Sequence, residues 1–132
     1  MLKTRNVYFN PNPAKHEVGD CTVRACCAVT GKSWDEVYRA LCDIGFELKR
    51  MPNDRECVRA YLGTFGFTRT GISNKKGSKR PTVASFAASH KTGAYVLEIA
   101  HHLVGLKDGK YYDLWDAADK SLYGYMSAPD SE

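Results

Sequence analysis

The chain lacks an apolar run long enough to span a membrane, so no transmembrane helix is expected. Its first residues, Met-Leu-Lys-Thr-Arg-Asn, carry charges with no apolar stretch after them, and the sequence therefore predicts no secretory signal. There is no internal repeat and no low-complexity segment. With 132 residues, of which 43% are hydrophobic, the chain can bury one core, and a single domain over residues 1–132 is expected.

Metal-ligand spacing is also missing. Neither a C-x-x-C pair nor an H-x-x-x-H pair occurs, and adjacent Cys26 and Cys27 would point about 100° apart on a helix. All five cysteines lie in the first half of the chain. Without a secretory signal, they are expected to be reduced thiols in a cytoplasm. We therefore predict no metal and no organic cofactor.

The charge balance is only mildly basic. Nineteen basic and 15 acidic residues give a formal net charge of +4, which does not by itself indicate nucleic acid. The densest basic stretch, residues 74–81, is flanked by turn formers, which favours a solvated loop over a phosphate-binding patch. The chain has no recognition-helix pattern and no interleaving of aromatic and basic residues, so nucleic-acid binding ranks last among the functions considered.

Helical patterns occupy residues 20–92, after a turn-rich arm over residues 1–19. Capping residues and apolar stripes at helical spacing predict four helices. Their expected starts are marked, in chain order, by Asp20, Ser33, Asn53 and Thr82. The first helix is expected to end at Gly31 and the second at Gly45.

Strand patterns follow Gly93, over residues 94–100, 102–107, 110–115 and 122–126. Asp108 and Gly109 form a strong two-residue hairpin signal between the second and the third of these strands. The fold class predicted is therefore α+β, in which N-terminal helices (about 20–92) pack on a C-terminal antiparallel sheet (about 93–127).

Three residues with catalytic chemistry occur in the order Cys, His, Asp. Cys21 falls in the first turn of a predicted helix, where the helix dipole favours a thiolate. A histidine on a distant strand, His102, could deprotonate this thiol, and Asp113 could orient the histidine. Each residue alone is more often structural, but the order and the predicted placement together favour a catalytic triad.

The predicted hairpin decides which of these side chains can meet. Side chains alternate between the two faces of a sheet, so His102 and Asp113 share a face as diagonal neighbours, with Cα atoms about 7–8 Å apart. His101 and Asp116 lie opposite each other on the other face. A single bulge would exchange the two pairs, and Asp116 is therefore kept as the reserve carboxylate.

Two further side chains near the predicted triad have open roles. Arg24 lies one turn after Cys21, where it could lower the pKa of the thiol or form an ion pair with Asp20, Glu17 or Asp113; the ion pair is favoured. Trp115 could shield the contact between histidine and aspartate from water, belong to the core, or do both.

These segments resemble the papain-like cysteine peptidase superfamily. Gly19-Asp20-Cys21 is similar to the Asp-Cys start of the double-glycine peptidases that trim bacteriocin leaders, and residues 102–106 (HLVGL) are similar to their histidine strand. Residues 113–115 (DLW) are similar to the Asn-Ser-Trp stretch of papain, with Asp in place of Asn. The short chain also resembles small proteins of phages and prophages. The resemblance implies a papain-like fold in which Cys21 is the nucleophile, His102 the base and Asp113 its orienting partner.

The resemblance also implies an oxyanion hole. Family members place a Gln about six residues before the nucleophile, where this chain has Lys15 followed by His16. Lys15, His16 and Asn12 are therefore the candidate side-chain donors, with Asn10 as a further possibility, and the backbone N–H of Cys21 is the other donor.

We thus expect a cysteine hydrolase, a peptidase or isopeptidase, that forms an acyl-thioester on a peptide or protein substrate. Acyl transfer to an amine stays open. The alternative is a non-enzymatic binding module, such as a phage-encoded inhibitor that captures a host factor. In that case the basic residues 75–80 would favour an acidic partner.

Overall fold

The computed structural model describes residues 5–73 and 79–131, and most of the basic stretch at 74–81 lies outside the described residues. Within them the chain forms four helices and six strands, which confirms the α+β prediction. The helices are α1 (Cys21–Thr30), α2 (Trp34–Leu48), α3 (Arg55–Gly63) and α4 (Val83–Ser89). The strands are β1 (Asn6–Tyr8), β2 (Thr68–Gly71), β3 (Ala94–Ile99), β4 (His102–Lys107), β5 (Lys110–Asp113) and β6 (Gly124–Ser127).

The strands form one mixed sheet with the order β1-β5-β4-β3-β6-β2. Its central strands pair antiparallel, as predicted, but β1 pairs parallel to β5, and both edge strands lie before the predicted C-terminal sheet, at residues 6–8 and 68–71. The expectation of a wholly antiparallel C-terminal sheet is therefore wrong at its edges. β1 has only three residues and β2 is exposed throughout, so neither carries the apolar alternation that marks a strand.

Two helix boundaries differ from the prediction. The third helix is capped by Asp54, whose carboxylate accepts from the backbone N–H of Glu56 at 2.8 Å, and not by a box starting at Asn53. The second helix does not end at Gly45 but continues to Leu48. A Cβ at Gly45 would lie 2.6 Å from the carbonyl oxygen of Arg50, so this glycine allows a close chain approach and does not end the helix.

Helix α1 packs directly on β4. A Cβ at Gly105 would lie 2.7 Å from the Cβ of Ala28 and 3.1 Å from the carbonyl oxygen of Ala25, so this glycine lets the helix approach the strand closely. The buried face of the helix includes Cys26, which is fully buried in the core. This packing brings the start of α1 next to the start of β4.

The hairpin between β4 and β5 forms as predicted. Lys107 pairs with Lys110, and both loop residues have positive φ, 50° at Asp108 and 80° at Gly109, as a type I′ turn requires. The turn therefore sets the register that places the end of β5 near the start of β4. Among the described residues, none of the helices has the length and apolar character needed to cross a membrane.

Candidate active site

The three predicted triad residues come together at the junction of α1 with the sheet. Cys21 is the first residue of α1, His102 the first of β4 and Asp113 the last of β5. Nε2 of His102 lies 2.6 Å from Oδ2 of Asp113, a short charge-assisted contact. Because Nε2 is taken by the carboxylate, Nδ1 is the ring nitrogen left to interact with the thiol of Cys21.

The thiol of Cys21 is activated by its surroundings. Burial opposes ionisation, but the hydrogen bond with His102 outweighs it together with a backbone contact at Leu103 and the positive charges of His102 and Arg24. The pKa of Cys21 is consequently lower than that of an ordinary thiol. This environment favours the thiolate, which is the nucleophilic form.

His102 is held in its protonated form. Burial lowers its pKa, but the hydrogen bond with Asp113 and the contact with Cys21 more than offset burial and raise the pKa from 6.5 to about 9. A lowered thiol pKa beside a raised imidazole pKa is the arrangement of a thiolate–imidazolium pair.

Three other cysteines have the opposite environment. Burial raises the pKa of Cys26 and of Cys57, and it raises that of Cys27 to about 12, with the charge of Asp20 adding to the effect. All five cysteines are free thiols. Cys21 therefore differs from these three in its ionisation and not in its oxidation state.

The carboxylate of Asp113 is buried and has three donors. One oxygen accepts from His102, and the other accepts from Nε of Arg24 at 3.1 Å and from the backbone N–H of Leu114 at 2.7 Å. Arg24 also donates through Nη1 to Asp20 at 2.7 Å. Asp20 stands at the N-cap position of α1, but its side chain makes no capping hydrogen bond, because it accepts from Arg24 and from Nε1 of Trp34, at 2.9 Å from the latter.

Trp115 covers the imidazole on its exposed side. The two ring centroids are 4.8 Å apart at an interplanar angle of 30°, and 44% of Trp115 is exposed. Trp115 therefore shields the His102–Asp113 contact from the surface and is not part of the core. The reserve carboxylate, Asp116, is exposed and accepts from the backbone N–H of Ala118, whereas the carboxylate that contacts His102 is that of Asp113.

A cleft of about 470 Å³ opens above the thiol. Its lining includes Asn53, Arg55 and His101. From the sequence, Asn53 was expected at a helix start and His101 on the other face of the sheet, and none of the three was assigned to the cleft. Arg55 donates to the carbonyl oxygens of Ile99 and His102, at 3.3 Å for His102, and so fixes the turn that leads into β4. These contacts join residues more than 40 positions apart in the sequence, so no local pattern could have revealed them.

The predicted oxyanion donors of the arm do not line this cleft. Asn12 is buried, and its side-chain oxygen Oδ1 accepts from the backbone N–H of Ala14 at 2.8 Å. Lys15 is exposed and donates to the carbonyl of Asn10 at 3.2 Å, and the carbonyl of exposed His16 accepts from the amide of Asn10. The backbone N–H of Cys21, in the first turn of α1, is the predicted donor that stands at the thiol.

No group of three or more His, Cys, Asp or Glu side chains within residues 5–73 and 79–131 is arranged to hold a metal ion. Comparison with known proteins found no matching family model, no matching curated protein and no matching solved structure. The functional interpretation therefore depends on the geometry of the cleft alone.

Proposed function

We propose that this protein is a cysteine hydrolase with a papain-like arrangement, in which Cys21, His102 and Asp113 form the catalytic triad. The observation that carries the proposal is the placement of His102 between a thiol at a helix start and a buried carboxylate, in an open cleft. A structural histidine needs neither an activated thiol nor access to solvent. The start of a helix and two neighbouring strands supply the three groups, which supports a papain-like fold.

The proposed reaction has two halves. The thiolate of Cys21 attacks the carbonyl carbon of an amide, forming a C–S bond, and His102 gives its proton to the leaving nitrogen as the C–N bond breaks. Water then attacks the acyl-thioester while His102 takes one of its protons, and the C–S bond breaks to release the acid. If an amine enters in place of water, the same site performs acyl transfer. Asp113 keeps the imidazole oriented through both halves.

The developing oxyanion needs hydrogen-bond donors in the cleft. The backbone N–H of Cys21 is one, because the first N–H groups of a helix have no acceptor within the helix. Asn53 lines the same cleft, and its side-chain amide is the proposed second donor in place of Lys15, His16 or Asn12. The proposed substrates are peptide or isopeptide amides, and a reducing compartment such as the cytoplasm would keep the thiol competent.

The test is acylation by an activated ester, which needs no knowledge of the natural substrate. Incubation with p-nitrophenyl acetate should release a burst of nitrophenolate equal to one equivalent of protein, followed by slower turnover. Mass spectrometry of digested protein should place the acetyl group on Cys21. His102→Ala should lose the burst at neutral pH, and added hydroxylamine should give a hydroxamate if amines are accepted.

The matched controls are Cys21→Ser and Cys42→Ser. Cys42 is also a partly buried thiol, on α2, but it does not line the cleft. The burst should disappear in the first variant and persist in the second. Acetylation of Cys21 no faster than that of Cys42 would contradict the enzyme proposal and leave the binding module with an unused triad as the better explanation.

A further inference from the structure

Arg24 joins two buried carboxylates that come from different parts of the chain. Its guanidinium donates to Asp113 on β5 and to Asp20 at the start of α1, and only 3% of Arg24 is exposed. Burying three charged groups costs much of their hydration free energy, and their mutual attraction does little more than offset this cost. The ion pairs are therefore weak evidence that these groups stabilise the fold. Their position next to a candidate active site instead suggests that the geometry itself is useful.

The contacts continue on both sides of Arg24. Asp20 accepts from Nε1 of Trp34, whose ring stacks on Tyr38 with centroids 4.9 Å apart, so the far end is anchored on α2. Asp113 accepts from His102, which contacts Cys21. These five side chains, the Arg24 network, alternate in the sign of their charge: Asp20, Arg24, Asp113, His102 and the thiolate of Cys21.

We propose that Arg24 is a positioning residue for the reaction at Cys21, held in place by Asp20 and Trp34. This inference rests on the proposed function. By occupying Oδ1 of Asp113, Arg24 leaves Oδ2 as the oxygen that faces the imidazole, and it prevents the carboxylate from rotating. By pairing with Asp113, it also limits how strongly that carboxylate attracts the proton of His102.

The charges of the Arg24 network should affect the pKa of Cys21. Among the described residues, the titratable and charged groups that face Arg24 or line the cleft beside it are Asp20, Cys21, His101, His102, Asp113 and Arg55, and the charge of Arg24 also acts on Tyr8 of β1. Helix α2 adds the uncharged Trp34 at the far end. The positive charge of Arg24 lowers the pKa of Cys21, so its removal should favour the thiol. Removal of the negative charge of Asp20 should act in the opposite direction.

The experiment measures the pH at which iodoacetamide labelling of Cys21 reaches half its maximal rate, with the acetylation burst as the second readout. Arg24→Gln should raise this midpoint by a fraction of a pH unit, because the charge of Arg24 is the smallest of the contributions that lower the pKa of Cys21, and Asp20→Asn should lower it. Arg24→Lys keeps the charge but not the two-pronged geometry, so its midpoint should stay near wild type while the burst slows about tenfold or more. Arg39→Gln, an exposed α2 arginine outside the cleft, is the control for net charge.

A merely structural Arg24 would give a different result. All variants would then be less stable to urea but would share the wild-type midpoint, and that outcome would overturn the inference. If Arg24→Gln does not fold, as circular dichroism would show, then Asp20→Asn and Arg24→Lys decide the question. Slow labelling of Cys21 in the wild-type protein would instead remove the proposed function, and the positioning role with it.

Discussion

The contact between His102 and Asp113 predicts in which direction the pKa of His102 changes when the charge of the carboxylate is removed. Burial alone lowers the pKa of His102, and the carboxylate and the thiol reverse that effect to give about 9. The difference between 6.5 and about 9 corresponds to about 3 kcal/mol, since one pH unit corresponds to about 1.4 kcal/mol. Asp113→Asn keeps the shape of the side chain but removes its charge. We expect the pKa of His102 to fall below 6.5 in this variant, because burial still lowers the pKa while the carboxylate charge that raised it is gone.

The assay is NMR titration of the imidazole resonances in a Cys21→Ser background, where Asp113 is the remaining partner that raises the pKa. His102 should titrate above 6.5 with Asp113 present and below 6.5 in Asp113→Asn. Asp116→Asn is the matched control, and it should leave the titration of His102 unchanged. Equal titration of His102 in the presence and absence of the Asp113 charge would refute the reasoning.

The same contact should make stability depend on pH. The folded-state pKa of His102 is raised above its unfolded value, so its stabilising contribution is complete below about pH 6.5 and is lost as the pH rises through about 9. In urea unfolding, the stability advantage of the Cys21→Ser protein over its Asp113→Asn derivative should therefore shrink between pH 6 and pH 10, and the part of the total of about 3 kcal/mol that comes from the Cys21 thiol should be missing in this background. Asp113→Asn also weakens the contact of this side chain with Arg24, which lowers the free energy of unfolding by the same amount at both pH values.

Three further outcomes are expected. His102→Ala should raise the pKa of Cys21, because the largest contribution that opposes burial of the thiol is removed and only the backbone contact at Leu103 and the charge of Arg24 remain, and iodoacetamide labelling across pH 6 to 11 would measure it. Gly105→Ala should destabilise the protein by about 1–3 kcal/mol in urea and slow the acetylation burst, because the added Cβ would collide with α1; an unchanged burst would contradict the role of this close packing. The pKa of Glu98 is lowered by Arg69 and Arg59 against the effect of burial, so its stabilising contribution is present above its unfolded pKa and lost as the pH falls; Glu98→Gln should therefore flatten the decline in stability between pH 5 and 3.

The sequence predicted those parts of the site that depend on local pattern. The two-residue turn at Asp108 was readable because hairpin chemistry involves neighbouring residues. The start of α1 at Cys21 was also predicted correctly, although the side chain of Asp20 does not cap the helix. The turn then fixed the register, and the register brought His102 to Asp113. The preference for Asp113 over the reserve Asp116 as the partner of His102 therefore followed from counting residues back from a turn.

Contacts between distant segments were not predictable in this way. Arg55 reaches the turn before β4 across more than 40 residues, and β1 pairs parallel with a strand that lies about 100 residues later. Arg24 was expected to pair with one of three acids, but it contacts two at once, Asp20 and Asp113. The N-terminal arm was expected to supply the oxyanion donor, and its candidates turn out to satisfy neighbouring backbone groups of the arm itself.

The two tryptophans of this chain contact different members of the Arg24 network: Trp34 donates to Asp20, and Trp115 packs over His102. A protonated imidazole quenches indole fluorescence by accepting an electron from the excited ring, so we expect the emission of Trp115 to depend on the protonation of His102. We expect the emission of Trp34 to depend on its N–H contact with Asp20. The two indoles would then be intrinsic optical probes of the candidate active site, and Trp34→Phe and Trp115→Phe would separate their signals without any added dye.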